Sequence, residues 1–277
     1  MKHSFIALLT ALLLPITAPA QTEVSNDPEV GGRLSFELNK KIAKGLHVYL
    51  DEEVRFDDNF SSFNRFHTTL GITYKVLPYL KAGFGYALIN GYDGTDKQFN
   101  SPRHRLFADL TGSYRLGDWQ FSLRERVQVT HRTDSFNEYQ NPENLWMLKS
   151  RLKVTYKGFR RWEPYGSVEL RHTLNAPVIK ATYNETNGTW ISSETGLAKN
   201  EAGWFLDGFN GMYLNRLRGT LGVSYRLDRR STLEVYFIGD YGMEKKVDAN
   251  AEGTKLKAYT VEKEFNGWIG ASYSYTF

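Results

Sequence analysis

Phe265-Asn266-Gly267-Trp268-Ile269-Gly270-Ala271-Ser272-Tyr273-Ser274-Tyr275-Thr276-Phe277 is the last stretch of the chain, and its alternation decides the fold. Phe265, Gly267, Ile269, Ala271, Tyr273, Tyr275 and Phe277 share one side of an extended strand. Asn266, Trp268, Gly270, Ser272, Ser274 and Thr276 share the other. Successive side chains of a strand point to opposite faces. One face is therefore apolar with an aromatic end, and the other is mostly small and polar, as in a strand with one apolar and one wet side.

The same period of two recurs upstream. In 65–76, Phe66, Thr68, Leu70, Ile72, Tyr74 and Val76 oppose Arg65, His67, Thr69, Gly71, Thr73 and Lys75. In 79–89, Leu80, Ala82, Phe84, Tyr86 and Leu88 oppose Lys81, Gly83 and Gly85. In 216–227, Leu217, Leu221, Val223, Tyr225 and Leu227 oppose Arg216, Arg218, Thr220, Ser224 and Arg226. Further strands are expected at about 46–56, 104–116, 119–131, 145–157, 164–174 and 231–241. Short turns at Leu77-Pro78, Gly117-Asp118 and Asp228–Arg230, with a longer one over 157–163, alternate with long polar segments at about 57–62, 90–102, 132–144, 175–211 and 242–264. Short turns at one end and long loops at the other are the layout of a transmembrane barrel, with the long loops extracellular. Tyr74, Tyr114, Trp119, Tyr156 and Tyr225 sit near the short turns, where an interfacial aromatic girdle belongs.

The fold class expected is all-β: a transmembrane antiparallel up-and-down β-barrel of about ten to twelve strands. Ten strands span 46–277, and Leu34, Phe36 and Leu38 mark an eleventh before a turn at Ala43–Gly45. Single-chain bacterial barrels have even counts. Residues 22–30 are therefore expected either to add a short twelfth strand or to thread the lumen. Glu125 is a second conflict: alternation turns it outward with Leu123 and Val127, and a β-bulge or a register slip would turn it back.

Lys2 and His3 precede an apolar run from Phe5 to Leu14, and Ala18-Pro19-Ala20 fits a small-residue cleavage site. Residues 1–20 thus read as a secretory signal peptide and 21–277 as the barrel. The run is too short for a membrane-spanning helix, which needs about 20 residues. Cysteine is absent, which excludes a lipoprotein anchor, disulfides and thiolate metal sites.

Strand parity places fifteen cations on the lumen face: Arg55, Arg65, Lys75, Lys81, Arg105, Arg115, Arg124, Arg126, Lys149, Arg151, Lys153, Arg171, Arg216, Arg218 and Arg226. Six acids share that face: Asp51, Glu53, Asp109, Glu169, Glu234 and Asp240. The net charge of +4 thus hides a basic interior and long loops that lean acidic. Glu53 with Arg55, Arg124 with Arg126, and Glu169 with Arg171 recur as neighbours on one face. Two readings follow: a pathway for small anionic solutes, since a charged ring selects by sign, or a structural network of ion pairs that fills a narrow barrel.

Other chemistry is sparse. His67, His104, His131 and His172 fall near loop-side strand ends, with Ser101 three residues before His104 and Asp134 three after His131. No His-x-Ser element lies on a strand face, so a hydrolase at the rim is the lesser alternative, and no catalytic residue, cofactor or metal is expected. Asp57-Asp58-Asn59 lacks the Asp-x-Asp-x-Asp-Gly pattern of a calcium loop and reads as a hairpin loop. In 175–211, Val178–Tyr183 and Thr189–Ser193 read as two short strands about a turn, and Trp190, Trp204, Phe205 and Phe209 as an aromatic surface for a partner or for the barrel mouth. The cations alternate along strands instead of clustering, which argues against nucleic acid.

Two resemblances follow. The alternating last strand with Tyr273, Tyr275 and a final Phe277 resembles the terminal signal of bacterial outer-membrane barrels, which implies the barrel-assembly machinery as a partner, outer-membrane lipid as surroundings and a Gram-negative cell. Glu53-Val54-Arg55, Gly71-x-x-Tyr74, Gly83 to Tyr86, Arg103-His104-Arg105, Arg124-Glu125-Arg126 and Pro164 to Arg171 resemble a family of uncharacterised outer-membrane barrels, domain of unknown function 2490. That resemblance implies fold and location and no activity.

Overall fold

The computed structural model describes residues 22–25, 29–134, 136–184, 189–191, 204–252 and 256–277. The signal peptide expected over 1–20 lies outside the described residues, as do the side chains of Trp190, Trp204 and Phe205. The strands are β1 (Thr22–Ser25), β2 (Glu29–Ala43), β3 (Leu46–Asp57), β4 (Ser62–Leu77), β5 (Leu80–Asp93), β6 (Gln98–Phe99), β7 (Arg103–Leu116), β8 (Trp119–His131), β9 (Asn144–Tyr156), β10 (Trp162–Asn184), β11 (Thr189–Ile191), β12 (Trp204–Arg226), β13 (Ser231–Ala249) and β14 (Leu256–Thr276).

All but β1, β6 and β11 pair in chain order, each antiparallel to the next, and β14 closes onto β2 in parallel. The barrel therefore has eleven strands among the described residues, an odd count where an even one is usual. β1 is not a twelfth stave. It pairs in parallel with 260–263 of β14, on the same edge that β2 occupies further along. Closure leaves no unpaired edge, the condition under which strands can sit in hydrocarbon.

Leu34, Leu70, Phe84, Leu110, Leu152, Val168, Leu221, Phe237 and Ile269 all point outward and are exposed. An apolar surface of that extent is stable against lipid and not against water. No helix among the described residues is long and apolar enough to cross a membrane. At the turn end, Trp119 lies 4.9 Å from Tyr156 and Trp162 4.4 Å from Tyr225 between ring centroids, and Tyr74 and Tyr114 are exposed. These rings form the expected girdle. Gly45 and Gly117 hold φ of +79° and +58° in the tight turns, a conformation glycine adopts without a steric cost. In the turn before β13, the backbone N–H groups of Arg230 and Ser231 bind the Asp228 carboxylate at 2.6 and 2.8 Å and hold its pKa below the usual range.

Several expectations need correction. The segments 175–211 and 242–264 are not simply loops. β10 and β12 each run 23 residues, β13 19 and β14 21, so the wall stands taller on that side. The loop 132–143 packs on this extension: Asn137 donates to the carbonyl of Ala249 at 2.8 Å and Gln140 to Asp248 at 2.7 Å. Tyr139 and Phe209 pack there against the buried Leu206, Val247 and Ala249. Glu125 does face outward: neither pairing of β8 contains a bulge, and Ser150 Oγ donates to its carboxylate at 2.6 Å across the strands. The loop 58–61 is a tight hairpin in which Asp58, Asn59 and Phe60 all have positive φ and Ser61 Oγ caps the Asp58 carbonyl at 2.6 Å. No cluster of metal-ligating groups occurs there or elsewhere among the described residues.

Candidate functional site: the lumen

Strand register brings the interior charges into rows. Arg124, Arg151, Glu169, Arg218 and Asp240 face one another in sequence across β8, β9, β10, β12 and β13. Asp109, Arg126, Lys149, Arg171 and Arg216 form the adjoining row from β7 to β12. The rows climb obliquely because barrel strands tilt.

Part of this interior is ion-paired. Arg126 meets Asp109 at 2.6 Å, Arg124 meets Glu169 at 3.0 Å, and Arg55 meets Glu53 at 2.5 Å. Asp240, fully buried, joins Arg218 at 2.7 Å and Arg216 at 3.0 Å, and Arg216 also reaches Glu264 at 2.6 Å. Glu169 does not pair with Arg171, its neighbour along the strand; its second partner is Arg218 at 4.0 Å. Arg171 Nε donates to Asn215 at 2.8 Å instead. The closer partner, Arg124, reaches Glu169 from two strands away, past the directly opposed Arg151 of β9. Glu234 accepts from the hydroxyls of Tyr165 at 2.5 Å and Ser224 at 3.0 Å.

Several of the remaining interior cations differ. Among the described residues, no carboxylate oxygen lies within 4.0 Å of the charged nitrogens of Arg33, Arg105, Lys149, Arg151, Lys153 or Arg171. Arg105 Nε donates only to Thr130 at 3.0 Å. Arg33 lies 4.5 Å over the Trp268 ring and the Lys153 ammonium 3.5 Å over the Tyr165 ring. Arg33 lies outside the strands from residue 46 onward whose parity gives the fifteen lumen cations. The alternation Arg33, Ser35, Glu37 against Leu34, Phe36, Leu38 was the signal for it.

Interior aromatics lie along the wall. Tyr49, Phe107, Tyr165, Tyr236 and Trp268 each cover a glycine on a neighbouring strand: Gly71, Gly85, Gly222, Gly270 and Gly31. A Cβ at any of these glycines would fall 2.2–2.6 Å from the ring, so the rings can lie flat only because the side chain opposite is missing. Among the described residues, the interior holds cavities at several levels. One of about 130 Å³ lies under the loop 132–143 beside Arg171 and Tyr213. One of about 250 Å³ is lined by Arg33, Arg151, Lys153, Tyr165 and Tyr236. One of about 430 Å³ opens at the turn end beside His47, Lys75, Lys81 and Gln120.

The histidines do not converge. His67 is interior, 3.6 Å from Glu53. His104 lies on the outer face with Tyr86 at 2.6 Å, and His131 with Asn144 at 3.0 Å. His172 is on the outer face of β10. At the chain's end, Tyr273 stacks on Phe36 of β2 at 5.8 Å and 8°, and Tyr275 contacts Phe277 at 6.0 Å.

Among solved structures, the chain is similar to the NanC porin in its rhombohedral crystal form, with 11% identity over 87% of this chain and 91% of that one and a TM-score of 0.41. It is also similar to the anion-selective porin from Comamonas acidovorans, with 12% identity over 84% of this chain and a TM-score of 0.34, although it spans only 54% of that chain. A third is outer-membrane expressed OmpT of Vibrio cholerae, with 12% identity over 83% and 64% of the two chains and a TM-score of 0.34. No curated protein matches the chain. A family model matches residues 34–250, and by it the chain belongs to the family described as protein of unknown function, DUF2490.

Proposed function

We propose that this barrel is a narrow outer-membrane channel for small anionic solutes, with its long-loop end outside the cell. The observation that carries the reading is a group of interior cations without a carboxylate partner among the described residues, Arg33, Arg105, Lys149, Arg151, Lys153 and Arg171 among them. Burying an uncompensated charge is costly, and a purely structural network would balance itself. An excess of one sign in a wet, low-dielectric tube concentrates the opposite ion. The wall-hugging rings support the same reading, since they leave interior space free. The ion-paired rows around Asp240 and Glu169 narrow the lumen, as expected between an eight-stranded barrel that side chains fill and a sixteen-stranded open pore.

The reading includes export by a cleaved leader at 1–20, and recognition of Tyr273, Tyr275 and Phe277 by the barrel-assembly machinery. It assigns no catalysis, because His67, His104, His131 and His172 are divided between the two faces of the wall. The test is reversal potential in planar bilayers under a salt gradient. Anion-selective steps should appear, with weaker selectivity in Lys149→Gln and Arg105→Gln. An inserted barrel that passes no current, or one that prefers cations, would overturn it and would favour a structural or surface-interaction barrel.

A further inference from the structure

We infer that the 250 Å³ chamber is a binding site for a small organic dianion, held by Arg33, Arg151 and Lys153. The chamber is lined by four cationic side chains (Arg33, Arg151, Lys153, Arg218) and two carboxylates (Glu169, Glu234). Its lining thus carries two positive charges in excess, which one dianion neutralises.

The two carboxylates are already engaged. Glu169 holds Arg124 at 3.0 Å, and Glu234 accepts the Tyr165 and Ser224 hydroxyls. Arg218 is committed to Asp240. Arg33, Arg151 and Lys153 are left to meet a ligand. Two of them are held in place before it arrives: Trp268 backs the Arg33 guanidinium, and Tyr165, tied down by Glu234, backs the Lys153 ammonium. Arg33 is only 5% exposed, and its Nε has no hydrogen-bond partner among the described residues. Cations fixed by packing before binding lose little entropy on binding, and a guanidinium fork matches an oxyanion with two parallel hydrogen bonds.

Size limits the class. Pockets for drug-sized ligands run from about 300 to 1,000 Å³, so this chamber takes a smaller solute. Tyr165 and Tyr236, flat on Gly222 and Gly270, give it two aromatic walls suited to a short carbon skeleton between charged ends. A dicarboxylate and a phosphate ester share this chemistry. The inference goes beyond conduction, because a chamber can bind without passing its ligand.

The experiment is calorimetric titration of the full-length barrel in detergent, at constant ionic strength, with succinate, inorganic phosphate and neutral succinamide as probes. One of the two dianions should bind and succinamide should not. Tighter binding of succinate assigns a dicarboxylate, and tighter binding of phosphate a phosphoryl ligand. Arg151→Gln and Lys153→Met should each weaken binding about tenfold or more, as loss of one charge-assisted hydrogen bond does. Arg151→Lys, which keeps the charge and guards against misfolding, should retain part of the affinity. Arg103→Gln, on an exposed residue at the loop end of β7, should change affinity less than twofold. No binding of either dianion, or an equal loss in Arg103→Gln, would overturn the site. A barrel that conducts anions but binds neither probe refutes the chamber alone. One that binds with this variant pattern but carries no current refutes the channel alone.

Discussion

Asp240 offers the sharpest test of how the interior is held together. Its side chain is fully buried and is the shared acceptor for Arg218 at 2.7 Å and Arg216 at 3.0 Å. Asp240→Asn keeps the shape and removes the charge, and it presents an amide N–H to groups that are themselves donors. Breaking a buried ion pair from one side costs about 3–5 kcal/mol, because the charge left behind is uncompensated. Two arginines are affected here, unequally. Arg216 keeps Glu264 at 2.6 Å, whereas Arg218 keeps only Glu169 at 4.0 Å. One charge, not two, is therefore stranded. The low end of the range applies: about 3 kcal/mol, about 150-fold in the folding equilibrium. The assay is urea unfolding of the barrel refolded in detergent micelles, followed by tryptophan fluorescence. The double variant Asp240→Asn with Arg218→Met should recover much of the loss, since the stranded guanidinium is gone. A single variant within about 0.5 kcal/mol of the parent, the ordinary range for surface changes, would refute the reasoning. So would strict additivity of the two substitutions.

Two further outcomes follow. Gly222→Ala should lower stability by about 1–3 kcal/mol through overpacking and reduce single-channel current by driving the Tyr165 ring, 2.6 Å from the new Cβ, into the lumen; Gly219→Ala, with nothing within 4 Å, should leave the current unchanged. Glu125→Leu should raise the urea midpoint by an amount worth about 1–2 kcal/mol, since an outward carboxylate held by the Ser150 hydroxyl is costly against lipid; an unchanged or lower midpoint would count against placing that face in hydrocarbon.

The barrel was legible because lipid on one side and water on the other force a period of two on every crossing strand. Where that constraint ends, so did the reading. The stretch Glu244-Lys245-Lys246-Val247-Asp248 continues β13 beyond the belt with polar residues on both faces, and it reads as a loop. Leu34, Phe36 and Leu38 mark the first stave, but the lumen charges are read only from residue 46 onward, which leaves out Arg33. Parity placed Arg124, Glu169, Arg218 and Asp240 on one face, but their partnership depends on register across strands far apart in sequence. Glu169 meets Arg124, 45 positions away, and not Arg171, two positions away. Alternation turns Glu125 outward, and the bulge or register slip expected to turn it back is absent; what periodicity could not supply was its hydrogen-bond donor, Ser150 on the next strand.

The odd strand count and the aromatic end of the chain are one problem with one solution. With ten antiparallel contacts around the wall, the first and last of eleven strands must run the same way. A parallel pair is slightly the weaker kind, so β14 against β2 is where closure needs help from side chains. Those side chains are the ones that stand out in the sequence. Tyr273 stacks on Phe36, Trp268 lies under Arg33, and the Phe277 ring carries Lys40 at 5.3 Å. The backbone of Phe277 is bonded on both sides, donating to Asn39 at 2.9 Å and accepting from Lys41 at 3.2 Å. Gly31 takes part by omission, since any side chain there would collide with Trp268. The outward rings of the last strand thus have work to do in the folded barrel beyond any part they play in assembly. It follows that the start of β2 lies at the loop end and the end of β14 at the turn end. In an even-stranded barrel both would lie at the turn end, so the parallel seam is what separates them.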